Sequence, residues 1–235
     1  MDEKRDANQA YELETRQHYQ REKIAWEYHR QFASIWSLRN LSHVLVAKAE
    51  QRAIRRILLR IRSELSLAID IPCGSGKLLP VFGELSVPTI AADVSSQMLA
   101  IARTVADSCT SSVHFARLDI TALPFSDETF DAAICLRLLH RVPTVIKKAA
   151  LRELRRVTRR YAIVSYGVET RWHSYRQRFR SLLSQKSSIP YALNPNESEN
   201  LFLNAGFELL TRVTPLPLLS AEEIAVLVKS RHGGG

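Results

Sequence analysis

The spacing of apolar residues changes several times along this chain, and each change marks an element. Up to about residue 64 they recur near the helical period among many charges. Tyr19, Ile24, Trp26, Tyr28, Phe32, Ile35 and Trp36 come first; after the helix-start residues Asn40 and Ser42 follow Val46, Ala49, Ile54, Ile57, Leu58 and Ile61. Short continuous apolar runs then alternate with amphipathic stretches. The runs near 66–71, 89–93, 113–118, 130–136 and 161–166 predict buried strands, and the stretches 76–84, 96–107 and 144–159 predict helices. Strands that alternate with helices imply parallel pairing, because two parallel strands need a long crossover. The tail offers a helix near 197–205 and two β-rich runs, Glu208 to Val213 and Ile224 to Val228. Between the fifth strand and this tail lies an insert, roughly 167–196, with Trp172, Tyr175, Phe179, Leu182 and Leu183 on one helical face and arginines around it.

The most informative stretch is Leu67-Ala68-Ile69-Asp70-Ile71-Pro72-Cys73-Gly74-Ser75-Gly76. It reads as a buried strand ending in an acid, then a glycine turn, then a helix. Glycine lets backbone turn with positive φ and pass close to a ligand. Seventeen residues after Gly76 a second apolar run ends in Asp93. Strand, glycine turn, helix, strand and acid form the nucleotide-binding half of a doubly wound α/β fold. Leu79 stands where a dinucleotide fingerprint has its third glycine, and Asp70 precedes the turn, where a pyrophosphate would be repelled. A ligand carrying an ammonium and a sulfonium tolerates that acid.

On these residues the chain resembles the class I S-adenosylmethionine-dependent methyltransferases, in particular the group of ubiquinone, menaquinone and small-molecule methyltransferases. Asp70, Gly74 and Gly76 match the first motif, with Pro72 in place of its usual first glycine. Ala92 to Leu99 matches the ribose segment, Arg117 to Ile120 with Leu123-Pro124-Phe125 the adenine turn, Phe130 to Leu136 the fourth strand, and Ala205-Gly206-Phe207 the entry to the sixth. The resemblance implies a Rossmann-like sheet of seven mostly parallel strands, helices on both faces, and an antiparallel pair at the end. Residues 1–64 would be an N-terminal helical extension over the cofactor cleft, and 65–235 the cofactor-binding domain.

It also implies roles. Asp70 would lie near the methionine ammonium of S-adenosylmethionine, Gly74 and Gly76 would let backbone approach the donor, and Asp93 would accept both ribose hydroxyls. Asp119 would accept from the adenine amino group, Met98 and Leu118 would flank the ring, and Cys135 and Leu136 would pass beside the methionine part. Asp93 also reads as a plain helix N-cap, Asp119 as a surface turn acid, and Met98 and Leu118 as ordinary core. For the acceptor, His140 is a candidate general base, since an imidazole titrates near neutrality. Arg137, Arg141, Tyr166 and Trp172, with Tyr28, Arg30 and His173 behind them, are candidate acceptor contacts.

Composition narrows the partners. A hydrophobic share of 46% in 235 residues fits a globular chain with a full core. No apolar run reaches the length of a membrane helix. The polar start Met1-Asp2-Glu3-Lys4-Arg5-Asp6 does not read as a secretory signal, and three cysteines without metal-ligand spacing suit a reducing compartment, so a cytoplasmic protein without metal is expected. The net charge of +9 is gathered in arginines: 52, 55, 56, 60 and 62; 152, 155, 156, 159 and 160; and 171, 176, 178 and 180. Such faces suit a small acidic or lipid-linked acceptor and peripheral contact with an anionic membrane; equally they are solvated helix faces. No RNA-binding module is visible, which argues against nucleic acid. A non-catalytic binding protein of the same fold and an RNA methyltransferase stay open as alternatives.

Overall fold

The structure is a computed structural model that describes residues 38–107, 109, 112–168, 191–216 and 222–230. Its chain order is α1 (Leu38–Arg60), a 3-10 turn (Arg62–Glu64), β1 (Ala68–Asp70), α2 (Leu79–Glu84), β2 (Thr89–Asp93), α3 (Ser96–Ala106) and β3 (Val113–Arg117). There follow β4 (Phe130–Cys135), a second 3-10 turn (Leu139–Arg141), α4 (Thr144–Val157), β5 (Thr158–Gly167), α5 (Pro195–Asn204), β6 (Phe207–Val213) and β7 (Glu222–Lys229). The seven strands form one sheet in the order β3-β2-β1-β4-β5-β7-β6. β1 to β5 pair in parallel, and β7 runs antiparallel to both neighbours, β5 and β6. The expected seven-stranded, mostly parallel α/β sheet is therefore the observed one.

Alternation along the strands divides the core in two. Ala68, Ala132, Ile134, Tyr161, Ile163, Ile224 and Val226 face one side, where Ile54, Ile57 and Leu58 of α1 pack with α2 and α3. Ile69, Ala133, Cys135, Ala162, Val164, Ala225 and Leu227 face the other, under α4 and α5. This is the two-residue period of a strand covered on both faces. α1 thus shares a hydrophobic layer with the sheet; residues 1–37, the rest of the expected extension, lie outside the described residues.

Several helix boundaries differ from the sequence reading by a residue or more, α5 for instance spanning Pro195–Asn204, and two of them have a clear local reason. α2 starts at Leu79 rather than 76 because Gly76 has φ +76°, a left-handed conformation that no α-helix continues. α4 ends at Val157 rather than 159, since Thr158 turns to extended backbone and opens β5 directly. α5 is fixed by a capping box: Asn194 Oδ1 accepts from Glu197 N–H, and Glu197 Oε2 accepts from Asn194 N–H.

Part of each arginine cluster among the described residues is engaged by the fold. Arg55 pairs with Glu84, Arg159 with Asp131 and Arg160 with Glu64. Arg62 donates to the carbonyls of Leu65, Leu85 and Ser86, and Arg155 to that of Gly206. Arg156 binds Glu153 and Asp127 and donates to the carbonyls of Leu123 and Phe125, tying the loop after Asp119 to α4. The cluster at 171–180 lies outside the described residues.

Candidate active site

The strand order turns back between β1 and β4, and in an open α/β sheet the crevice beyond that point receives the ligand. A cavity opens there. Its wall is built from residues at or just after the carboxyl ends of β1 (Ile71 to Ser75), β2 (Asp93, Val94), β3 (Leu118, Ile120) and β4 (Leu136 to Leu138). α1 closes one side with Ala47, Glu50 and Gln51; the Gln51 side chain donates to the carbonyl of Lys77 at 2.6 Å.

The two motif glycines do different things. A Cβ on Gly74 would meet nothing within 4 Å, so this residue keeps the cavity floor open. A Cβ on Gly76 would lie 2.8 Å from Leu79 Cδ1 and 3.1 Å from Ala102 Cα, so Gly76 lets the turn pack on α3 instead of approaching a ligand. Both have positive φ, +52° and +76°. Asp93 Oδ2 accepts from Gly74 N–H at 2.9 Å and Oδ1 from Ser95 N–H at 2.8 Å. The N-cap of α3 is Ser95, whose Oγ accepts from Met98 N–H. Asp93 therefore joins the first turn to the second and is not itself the cap.

The carboxyls in this crevice are held far from water. Burial, then the neighbouring charges of Asp93 and Glu50, push Asp70 well above the ordinary carboxylate range, and its buried Oδ2 has no hydrogen-bond partner. Burial lifts Asp93 to about 6 against the lowering effect of the Ser95, Gly74 and Val94 N–H groups. Lys77, Arg137 and Arg141 line the same cavity. Burial and the Arg137 charge lower Lys77 well below the usual lysine range, opposed by Glu50 and Glu222. Arg137 is ion-paired with Glu50, with 2.7 Å between Nη2 and Oε2.

Of the residues singled out in the sequence, Asp70, Gly74, Asp93, Met98, Leu118, Leu136, Arg137 and Arg141 line this one cavity. Gly76 packs behind it. Asp119 stands just beyond Leu118 with Oδ1 accepting from Thr121 N–H and Oγ–H, a turn geometry. Cys135 is fully buried in the core beneath β4. Tyr166 does not reach the cavity: it packs edge-on against Phe202 on the α5 side and donates to Glu223 Oε2 at 2.8 Å. His140 is buried on the 3-10 turn behind the wall, where Nε2 accepts from Arg141 Nε at 3.2 Å and lies 3.5 Å from Glu222 Oε1. Burial lowers its pKa, with Glu222 opposing, so the ring is neutral near pH 7. Trp172, Tyr28, Arg30 and His173 lie outside the described residues.

Sequence reasoning missed Glu50, Gln51 and Lys77. Lys77 directly follows Gly76 and was visible in the motif. Glu50 was legible as a charge on the buried stripe of α1, four residues before Ile54 and seven before Ile57.

Comparison with known proteins bears on this arrangement. Residues 68–160 match the model of a family described as a methyltransferase domain. No curated protein matches the chain by sequence. Among solved structures, magnesium protoporphyrin IX methyltransferase from Synechocystis PCC 6803 with bound S-adenosylhomocysteine is 16% identical. It superposes with TM-score 0.79 over 92% of this chain and 98% of that chain. A SAM-dependent methyltransferase from Methanosarcina mazei is 19% identical, with TM-score 0.61 over 71% of this chain and 93% of that one. The [4+2]-cyclase SpnF is 18% identical, with TM-score 0.56 over 76% and 82%. At these identities the likeness is one of fold.

Proposed function

On the premise that this chain carries a class I S-adenosylmethionine-dependent methyltransferase domain, we propose that it methylates a small or lipid-linked acceptor bearing an anionic group. The observation that carries this reading is that Arg137 and Arg141 line the same cavity as Asp70, Gly74 and Asp93. The residues suit the donor. Asp70 Oδ2 is a buried acceptor without a partner, and an ammonium group is what satisfies such an atom. Asp93 retains lone pairs beyond those given to Gly74 and Ser95, enough for ribose hydroxyls. The open face of Gly74 leaves room for close backbone approach, Met98 and Leu118 would flank the adenine, and Asp119 would meet its amino group.

When bound, S-adenosylmethionine supplies an electrophilic methyl on a sulfonium. The protein's share is alignment and exclusion of water, for in-line displacement needs donor and acceptor fixed face to face. Arg137 and Arg141 would hold the acceptor's negative charge, and an already ionised oxygen needs no proton removed. His140 then acts as a positioning residue, because the atom that would take a proton accepts from Arg141 instead.

α1 supports the membrane-proximal half of the reading. Leu45, Lys48, Arg52, Arg56, Leu59 and Arg60 are all exposed along it, a basic stripe edged with leucine. Among the described residues no helix is long and apolar enough to cross a membrane.

The test is transfer of labelled methyl from S-adenosylmethionine to matched pairs of aromatic acids and their amides, free and in anionic vesicles. Transfer to acids, and faster transfer on vesicles, is expected. Equal rates on acids and amides would remove the anionic acceptor, and indifference to vesicles would remove the membrane.

A further inference from the structure

Arg137 is held in place before any ligand arrives. Its backbone has φ +59°, an uncommon conformation for a side-chain-bearing residue, and its N–H donates to Ser165 Oγ at 2.7 Å. Its guanidinium then meets a carboxylate carried by α1. Nε and Nη2 both approach one oxygen, Glu50 Oε2, at 2.8 and 2.7 Å. A guanidinium fork engages a carboxylate best by spreading over two oxygens, and here it does not. The two side chains are only 14% and 9% exposed, and both line the cavity. Charges so far from water need each other, because removing one strands the other.

We propose that Glu50 is an internal stand-in for the carboxylate of the acceptor, so that an acidic acceptor enters by exchanging with Glu50 on Arg137. This inference rests on the anionic-acceptor reading above. The wall beside Arg137 is already shaped to a carboxylate, because one occupies it. Lys77 also lines this cavity and lies within electrostatic reach of both partners. A neutral acceptor offers Arg137 no replacement charge and leaves the pair closed, so the exchange selects for acids. Since Glu50 belongs to α1, the same event loosens α1 from the rim of the site.

The test uses the full chain saturated with S-adenosylhomocysteine and titrated with benzoate, with inorganic phosphate and benzamide as comparisons. Glu50→Gln keeps the shape and an oxygen acceptor for Arg137 while removing the competing charge. It should bind benzoate at least ~10-fold tighter than the wild type, and Arg137→Gln at least ~10-fold weaker, with benzamide unaffected in each. Hydrogen exchange on the unaltered protein gives a readout that needs no variant: saturating benzoate should speed amide exchange across residues 47–54 of α1.

Equal benzoate affinity in wild type and Glu50→Gln, or slower α1 exchange with benzoate, overturns the exchange and leaves the acidic-acceptor reading standing. Phosphate binding tighter than benzoate in Glu50→Gln overturns the carboxylate assignment. Benzoate binding to neither protein overturns both readings.

Discussion

The backbone N–H of Gly74 donates to Asp93 Oδ2 across 2.9 Å, joining the turn after β1 to the end of β2. One carboxylate thus does two things: it ties the turn after β1 to the end of β2, and it lines the cavity with its remaining lone pairs. Removing it has to cost both architecture and binding.

Asp93→Ala should therefore weaken S-adenosylhomocysteine at least ~10-fold and also destabilise the empty protein, by about 1–3 kcal/mol for two backbone donors left without an acceptor. Asp93→Asn, which keeps one acceptor oxygen, should fall between. Calorimetric titration and thermal unfolding separate the two effects. An unchanged dissociation constant in Asp93→Ala would take this residue out of the cofactor site.

The pH dependence has opposite signs for folding and binding. Asp93 is held at about 6 in the folded chain against an ordinary value of 3.8. The native state binds this proton more tightly, so the stabilisation is complete below 3.8 and is lost as pH rises through about 6. It amounts to about 3 kcal/mol by linkage. Ribose hydroxyls donate to the ionised carboxylate, so S-adenosylhomocysteine affinity should fall towards ~10-fold per pH unit below about 6. Asp93→Asn should flatten that fall, and a flat wild-type curve would show that the ionised oxygen is not used.

The two glycines should separate fold from function. Gly76→Ala places a methyl against Leu79 and Ala102 at +76° φ. It should lower stability by roughly 2–4 kcal/mol, combining left-handed strain with overpacking. Gly74→Ala carries only the strain, about 1–2 kcal/mol, because its Cβ meets nothing. Its methyl projects into the cavity, so S-adenosylhomocysteine should bind at least ~10-fold more weakly. Thermal unfolding with and without ligand measures both, and similar profiles for the two variants would refute the division of roles.

Ser95→Ala removes the side-chain cap of α3. About 1 kcal/mol of stability should go with it, a fall in midpoint of roughly 2–4 °C at this size. Because Asp93 keeps its bond from Ser95 N–H, S-adenosylhomocysteine affinity should stay within about threefold. A larger loss would mean that the α3 N-terminus itself touches the cofactor.

The sequence carried the elements and their order because strand and helix periods are local properties. The apolar runs at 89–93 and 113–118, the acids at 70 and 93, and the glycine turn between them were all legible within a few residues. Asp70, Asp93 and the glycine turn also supplied one stretch of the cavity wall, since this fold gathers the ends of its parallel strands at one edge. Tertiary structure decided the rest. Glu50 and Arg137 are 87 positions apart, and only the docking of α1 on the sheet face brings their charges together. Gly76 and Gly74 look alike in the chain and differ only in what surrounds them. The arginines at 155, 156, 159 and 160 read as a basic face, yet each has a partner on another segment, Gly206, Asp127, Asp131 and Glu64, so that face is tied to its neighbours. Periodicity is written along the chain; charge pairing, packing against a neighbour and access to a cavity depend on distances through space.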